Sequence, residues 1–170
     1  ILFRFAKLGR AVHQSHLDIR EFILRAMRLS GLPVRYSLGN TPRPKVSFSP
    51  ACPTGIESEA EYFEVDCNGR PDGRACAETM GKFLPDGVFI MNVEDIDSSR
   101  HALNHLIQSM TFQVTFSGET SEATLREKVE RYLATDTVPV CVKRKSKPRV
   151  LDARACIGEV AVVGKAVQVQ

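Results

Sequence analysis

The segment from Ser15 to Pro33 constrains the fold most, because its pattern is that of one helix with defined ends. Ser15, followed three residues later by Asp18, has the spacing of an N-cap with a capping box. Gly31 is typical of a helix end, and Pro33 prevents the helix from resuming. Apolar residues recur at intervals of three and four, which predicts one buried stripe. This stripe consists of Ile19, Phe22, Ile23, Ala26 and Met27.

The segments around this helix predict a ferredoxin-like unit. Residues 1–8 alternate and are rich in Phe, which favours a strand before the helix. The resulting order, β-α-β-β-α-β, is that of the ferredoxin-like fold with an antiparallel sheet. The further predicted elements are strands at 34–37, 59–66 and 88–93 and a helix at 72–84, with a short extended piece at 45–49 beside them.

The pattern begins again in the second part of the chain. A strand is predicted at 110–116, a helix capped by Thr120 follows it, and another strand is predicted at 138–142. Two dipeptides support a duplication, because both recur at the same offset of 106 positions. These are Pro33-Val34 with Pro139-Val140, and Pro42-Arg43 with Pro148-Arg149.

We therefore predict an α+β fold made of two ferredoxin-like halves with antiparallel sheets. The first half would cover residues 1–97, a connector residues 98–109, and the second half residues 110–170. The second copy would be incomplete and would lack its last helix and strand, because the sequence stops at Gln170.

Charge is unevenly distributed, although the net charge is only +3. Residues 1–50 carry nine Lys or Arg and two Asp or Glu. Residues 136–170 carry seven Lys or Arg and three Asp or Glu. Residues 51–135 carry seven bases and fifteen acids. Two basic segments that met on one face would attract a polyanion such as RNA. Solvated, non-functional loops are the alternative explanation.

Duplication would place the two basic loops at equivalent corners of the two halves. Together they could form a groove for a phosphate backbone, with Arg4, Lys7 and Arg28 as further lining. The predicted nucleic-acid-binding residues are Arg10, His16, Arg43, Lys45, Lys143, Arg144, Lys145, Lys147 and Arg149.

His16 is the candidate catalytic residue, because an imidazole at a helix start can act as an acid or base near neutral pH. The alternative is a structural role in which His16 bonds the loop 38–45. Acidic residues at 57–64 could hold a metal, pair with the basic loop, or protect an edge strand. No complete metal-binding signature is present around His13 and His16 or around His101 and His105, so we predict no metal site. The predicted loop-fixing residues are Ser15, Asp18, Gly39, Pro42, Pro44, Glu59 and Glu61.

The five cysteines are an odd number with no C-x-x-C pair, which favours free thiols in a reducing cytoplasm. The sequence contains no run of about 18 apolar residues, so it predicts no membrane span. The chain starts at Ile1, which suggests a piece of a longer polypeptide.

Many short motifs resemble the radical-SAM-linked protein family, a domain family of uncharacterised function. The first motifs are Phe3, Lys7-Leu8-Gly9, Ser15-His16-Leu17-Asp18, Arg25-Ala26, Gly31-Leu32-Pro33-Val34 and Tyr36-Ser37. The resemblance continues with Gly39, Pro42, Pro44-Lys45, Phe48, Gly55, Glu57-Ser58, Glu61-Tyr62 and Leu151-Asp152-Ala153-Arg154. The family loop Gly-Phe-Asn-Pro-His-Pro is changed here to Gly-Asn-Thr-Pro-Arg-Pro at residues 39–44.

The resemblance implies a bacterial domain that is fused to, or encoded beside, a cobalamin-type radical SAM protein. The cluster motif C-x-x-x-C-x-x-C is absent from this sequence, so the iron–sulfur cluster and SAM are expected only in the partner. Genes of the family often lie near ribosome-related genes, which makes ribosomal or transfer RNA the expected ligand. The first hypothesis is therefore an accessory RNA-binding domain. The alternatives are an assembly domain that docks on the radical SAM core, and an RNA-processing enzyme that uses His16.

Overall fold

A computed structural model describes residues 1–96, 103–142 and 148–170. The chain divides into two compact units, Ile1–Ile107 and Gln108–Gln170. This boundary falls inside the connector predicted at 98–109. Helices and antiparallel sheets occur in both units, so the protein belongs to the α+β class.

The first unit is built on one four-stranded antiparallel sheet with the strand order β2-β3-β1-β4. Its helices and strands follow one another in the predicted order, β-α-β-β-α-β, before a short helix near the end of the unit. They are β1 (Leu2–Lys7), α1 (His16–Ser30), β2 (Val46–Phe48), β3 (Ser58–Val65), α2 (Gly73–Gly81), β4 (Val88–Glu94) and α3 (Leu103–Leu106).

Helix α1 begins and ends as its sequence predicts. Ser15 Oγ accepts a hydrogen bond from the Asp18 amide at 3.2 Å, and the Asp18 carboxylate accepts one from the Ser15 amide at 3.0 Å. Gly31 closes the helix in a left-handed conformation with φ 74°, which costs little without a Cβ. Four residues of the predicted stripe, Ile19, Ile23, Ala26 and Met27, are buried.

The core of the first unit lies between the helices and one face of the sheet. Phe3 on β1 stacks on Phe63 of β3 with ring centroids 4.7 Å apart, and Phe5 and Phe48 also contact Phe63. Ile23 and Met27 from α1 and Met80 from α2 complete the same buried cluster. The helices therefore cover one face of the sheet, and residues of the opposite face, such as Arg4 and Tyr62, remain partly accessible.

The capping box gives a first prediction. Replacing Ser15 with alanine removes a hydrogen bond to the first helical turn and is expected to destabilise the protein by about 1 kcal/mol. Hydrogen bonds from Ser15 hold the pKa of Asp18 below its usual range. The stabilisation that this carboxylate provides is therefore present above its unfolded pKa and is lost as the pH falls through the lower folded pKa.

Urea unfolding across acidic and neutral pH, with an NMR titration of the Asp18 carboxyl group, checks this prediction. In Ser15→Ala the pKa of Asp18 should move back toward its ordinary value. An unchanged pKa in the variant would contradict the assigned cause.

Three details of the first unit differ from the sequence predictions. Residues 34–37 do not form a strand but make isolated bridges, Val34 with Cys67 and Tyr36 with Pro44. Residues Gly9–His13 form a short 3-10 helix that the sequence did not predict. The acidic residues 59–64 lie on β3, which pairs with both β1 and β2, so they do not form an edge strand.

The second unit contains a three-stranded antiparallel sheet with the order β5-β9-β8 and a separate two-stranded pair, β6 with β7. Helix α4 is capped by Ser121, not by Thr120 as predicted, and packs against β8. The elements are β5 (Phe112–Thr115), α4 (Glu122–Leu133), β6 (Pro139–Val142), β7 (Arg149–Asp152), α5 (Ala153–Cys156), β8 (Val160–Val163) and β9 (Ala166–Val169).

The duplicated ferredoxin-like arrangement is not confirmed. The strands of the second unit lie in two sheets, and β5 pairs with the last strand of the chain. The prediction that this part lacks its last helix and strand was wrong, because α5, β8 and β9 follow β7. Among the described residues, no helix is long and apolar enough to cross a bilayer.

Candidate nucleic-acid interface

Residues 34–46 of the first unit form a hairpin, which we call the basic hairpin. Its two arms are joined by backbone hydrogen bonds from the Lys45 amide to the Arg35 carbonyl and from the Ser37 amide to the Arg43 carbonyl, both 2.8 Å long. Arg35, Arg43 and Lys45 are all exposed. The hairpin thus presents three cationic side chains on a closed backbone turn.

Asp66 fixes the base of the basic hairpin. Its backbone accepts a hydrogen bond from the Arg35 amide at 2.7 Å and donates one to the Lys45 carbonyl at 3.0 Å. Its carboxylate oxygen Oδ2 lies 3.3 Å from Arg35 Nη1 and 3.8 Å from Lys45 Nζ. Because both cations contact one oxygen, they lie within a Debye length of about 8 Å of each other. Asp66 neutralises part of this charge, and the hairpin with Asp66 keeps a positive balance.

The tip of the basic hairpin is exposed. Leu38 is 102% exposed, and Gly39 has a φ of 129°, a conformation that L side chains rarely adopt. Ser37 Oγ accepts a hydrogen bond from the Arg43 amide at 3.0 Å and closes the tip. Of the predicted loop-fixing residues, Pro44 contributes through its bridge to Tyr36, and Pro42 is exposed.

His16 lies at the first position of α1 and contacts Phe48 on β2. Their ring centroids are 6.0 Å apart in an edge-to-face arrangement, and the guanidinium carbon of Arg20 lies 6.0 Å from the Phe48 centroid. Among the described residues, no hydrogen bond or ion pair joins His16 to the basic hairpin. The structure therefore places His16 against an aromatic ring.

Several other predicted residues belong to elements other than the basic hairpin. Ser15 and Asp18 bond each other, and the Glu61 carboxylate accepts a hydrogen bond from Ser58 Oγ at 2.8 Å. The Glu59 carbonyl accepts one from Arg4 Nε at 2.8 Å. Arg10 is exposed in the 3-10 helix, and Arg149 begins β7 in the second unit. Lys143, Arg144, Lys145 and Lys147 lie outside the described residues.

The environment of Lys7 differs from the one that the sequence predicts. It was expected to line a solvated groove, but its side chain is only 3% exposed. Its ammonium group donates hydrogen bonds to the carbonyl of Pro53 at 3.0 Å and to that of Cys52 at 3.4 Å. Lys7 therefore ties the loop between β2 and β3 to the sheet. Glu57 helps from the other end of this loop, because its carboxylate accepts a hydrogen bond from the Gly9 amide at 2.9 Å.

All five cysteines are free thiols. Burial raises the pKa of Cys52, Cys67 and Cys76 in the first unit. Cys141 and Cys156 in the second unit are exposed. Among residues 1–96, 103–142 and 148–170, no group of three His, Cys, Asp or Glu side chains is placed to hold a metal ion.

The uncovered face of the first sheet is polar at its centre and apolar at its edge. A shallow depression of about 80 Å³ is lined by Leu2, Arg4, Tyr62, Asn92 and Glu94. On the edge strand β4, Phe89 and Met91 are 49% and 52% exposed. This face has both signs of charge, which makes it a poorer phosphate surface than the basic hairpin.

In the second unit, the segment Leu151-Asp152-Ala153-Arg154 makes several contacts that join neighbouring elements. The Asp152 carboxylate caps α5 and accepts a hydrogen bond from the Val138 amide at 2.8 Å, which joins β7 to the start of β6. The Arg154 guanidinium lies over the Tyr132 ring at 5.1 Å from its centroid. These contacts give the segment a structural role within its unit.

The fold and the site define the chain as an α+β protein with an exposed basic hairpin beside an antiparallel sheet. It belongs to DUF2344, a family of uncharacterised proteins conserved in bacteria, which matches residues 1–169. No curated protein and no solved structure matches the chain.

Proposed function

We propose that this protein is an RNA-recognition domain that binds phosphates through the basic hairpin. One observation carries the proposal: three exposed cations, Arg35, Arg43 and Lys45, stand on one short hairpin, and the Asp66 carboxylate contacts two of them, Arg35 and Lys45. Exposed cations within a Debye length reinforce one another and attract a polyanion. Arg20, Arg25 and Arg28 are also exposed on α1 and add to the positive charge of this unit.

The radical SAM association is part of the same proposal. It rests on the sequence resemblance, which includes Lys7-Leu8-Gly9 and Leu151-Asp152-Ala153-Arg154. In this proposal the iron–sulfur cluster and SAM belong to a separate cytoplasmic protein or domain, to which this chain presents ribosomal or transfer RNA. Copurification of the full chain with a protein that contains a C-x-x-x-C-x-x-C motif would support this partner.

We also infer a ferredoxin-like origin for both units. The first unit has the order β-α-β-β-α-β and the strand order β2-β3-β1-β4, in which β3 lies between β1 and β2. The second unit begins with the same order of elements, from β5 to β8, before β9 is added. This similarity supports a duplication in which the second copy kept the order of elements but pairs its strands differently, in two sheets.

A second candidate function is docking of a protein on the uncovered sheet face. The half-exposed Phe89 and Met91 on β4 favour it, because apolar side chains at a sheet edge are typical of contact surfaces. The third hypothesis, an RNA-processing enzyme, has no such support. His16 lies edge-to-face against the Phe48 ring, and among the described residues no hydrogen-bonded partner of its imidazole points to a catalytic role.

The salt dependence of RNA binding tests the proposal. The full chain is titrated into fluorescently labelled fragments of cellular RNA, and binding is followed by anisotropy at several salt concentrations. Three phosphate contacts predict that log K falls with log salt with a slope of about −2. An affinity that does not change with salt, or no affinity for any cellular RNA, would reject RNA recognition. Crosslinking in cells would then identify the RNA.

A further inference from the structure

Strand β5 forms one edge of the three-stranded sheet in the second unit. In the sheet order β5-β9-β8, only β9 pairs with β5 among the described strands, so the other edge of β5 offers unpaired amide and carbonyl groups. All four residues of β5 are exposed, whereas Ala166 and Val167 on β9 are buried. An unpaired edge of this kind is a template for another strand.

The sequence of this edge lacks the usual protection against pairing. Residues 110–116 read Met-Thr-Phe-Gln-Val-Thr-Phe and include no charged residue, proline or glycine. Exposed edges normally carry such residues, which discourage the addition of a strand. Aromatic and β-branched residues dominate the segment and favour an extended conformation.

Apolar side chains of this segment share one face, because they are two residues apart. Phe112, Val114 and Phe116 are 42%, 41% and 48% exposed. On the same face, Phe112 and Val114 are aligned with Val169 and Val167 of β9.

Strand β8 continues this apolar face through Val160 and Val162. Helix α4 packs at the β8 end of the sheet, and Val160 and Val162 are partly buried there. The face is therefore covered beside β8 and open beside β5.

We propose that β5 pairs with the β5 strand of a second copy of this chain. The segment from Phe112 to Phe116 has the same pattern in both directions: aromatic, polar, valine, polar, aromatic. An antiparallel register centred on Val114 places Phe112 opposite Phe116 of the second copy, and Gln113 opposite Thr115. Aromatic pairs directly across two strands stabilise a sheet, and no like charges meet. This self-complementarity is what a two-fold symmetric interface requires, and it favours a second copy over an unrelated strand.

The pairing would create a continuous six-stranded sheet. A two-fold axis perpendicular to this sheet places both α4 helices on the same side, because it maps each face onto itself. The open halves of the two apolar faces then become neighbours between the helices. Phe112, Val114 and Phe116 of both copies would line this shared surface and lose much of their exposure.

Sedimentation velocity of the full chain over about a hundredfold range of concentration tests the proposal. The wild type should pass from monomer to dimer as concentration rises. Val114→Lys and Val114→Glu should each remain monomeric, because two like charges would face each other at the two-fold axis. An equimolar mixture of these two variants should recover the dimer, because lysine then faces glutamate.

The matched control is Val163→Lys, which changes an exposed valine (52%, against 41% for Val114) on β8 of the same sheet. This variant should dimerise like the wild type, and circular dichroism should show that all variants are folded. A wild type that is monomeric throughout would overturn the proposal. A dimer that is lost equally in Val163→Lys, or a mixture that does not recover, would also overturn it.

Discussion

The Arg43→Ala/Lys45→Ala double variant is expected to bind RNA about tenfold more weakly than the wild type at low salt. The reason is the loss of two of the three exposed cations of the basic hairpin. The slope of log K against log salt should become less steep by about 1.4, because each phosphate contact on a single strand contributes about 0.7. Arg35 and its ion pair with Asp66 remain, so the base of the hairpin is preserved. Anisotropy titrations at three or more salt concentrations measure both quantities.

Arg70→Ala/Arg74→Ala is the matched control for this experiment. It removes the same net charge from exposed positions of the same unit, in the acidic middle segment of the sequence. A general effect of net charge would weaken binding equally in the two double variants. Equal losses would therefore count against the basic hairpin as the binding site.

The Lys7→Met variant is expected to lower the free energy of unfolding by about 3–6 kcal/mol, because it loses two hydrogen bonds from a charged group, each worth about 1.5–3 kcal/mol. Methionine has a similar length but cannot donate to the carbonyls of Cys52 and Pro53. With Lys7 buried, water has little access to replace these bonds. The loop between β2 and β3 would lose the attachment that Lys7 provides and keep the one made by Glu57.

Urea unfolding, followed by circular dichroism, measures this effect. Lys82→Met, at an exposed lysine just beyond α2, is the control and should change stability by no more than about 0.5 kcal/mol. Hydrogen exchange of residues 49–57 should rise in Lys7→Met and stay unchanged in the control. A stable Lys7→Met variant with normal exchange would show that the ammonium group does not hold the loop.

Local patterns predicted α1 well because its ends and its stripe depend on neighbouring residues. The bonds between Ser15 and Asp18, and the burial of Ile19, Ile23, Ala26 and Met27, follow from helix geometry alone. The element order of the first unit was predicted for the same reason, since each strand and helix there has its own period.

The basic hairpin could be predicted only in part. Proline and glycine marked residues 38–44 as a loop, and the charges of Arg43 and Lys45 were visible. The role of Asp66 was not visible, because the residue is about twenty positions away and is brought there by the register of β3 with β2. Long-range contacts of this kind leave no periodic signal in one sequence.

Lys7 and the last two strands show the other limit of sequence reasoning. A lysine at the end of an alternating strand indicates a solvated side chain, since lysine is rarely fully buried. Its burial here depends on the loop that folds over it, 45 residues further on. Strands β8 and β9 were not predicted, because the second copy was expected to end before its last helix and strand.

The five free thiols divide between the two units in a way that serves labelling chemistry. Maleimides and related alkylating reagents react with thiolates, and burial lowers the thiolate fraction of Cys52, Cys67 and Cys76 by raising their pKa. Cys141 and Cys156 are open to solvent. A fluorophore added at neutral pH therefore reaches β6 and the end of α5 first. The first unit keeps its native side chains, so RNA binding to the basic hairpin can be measured with a dye that does not modify that unit.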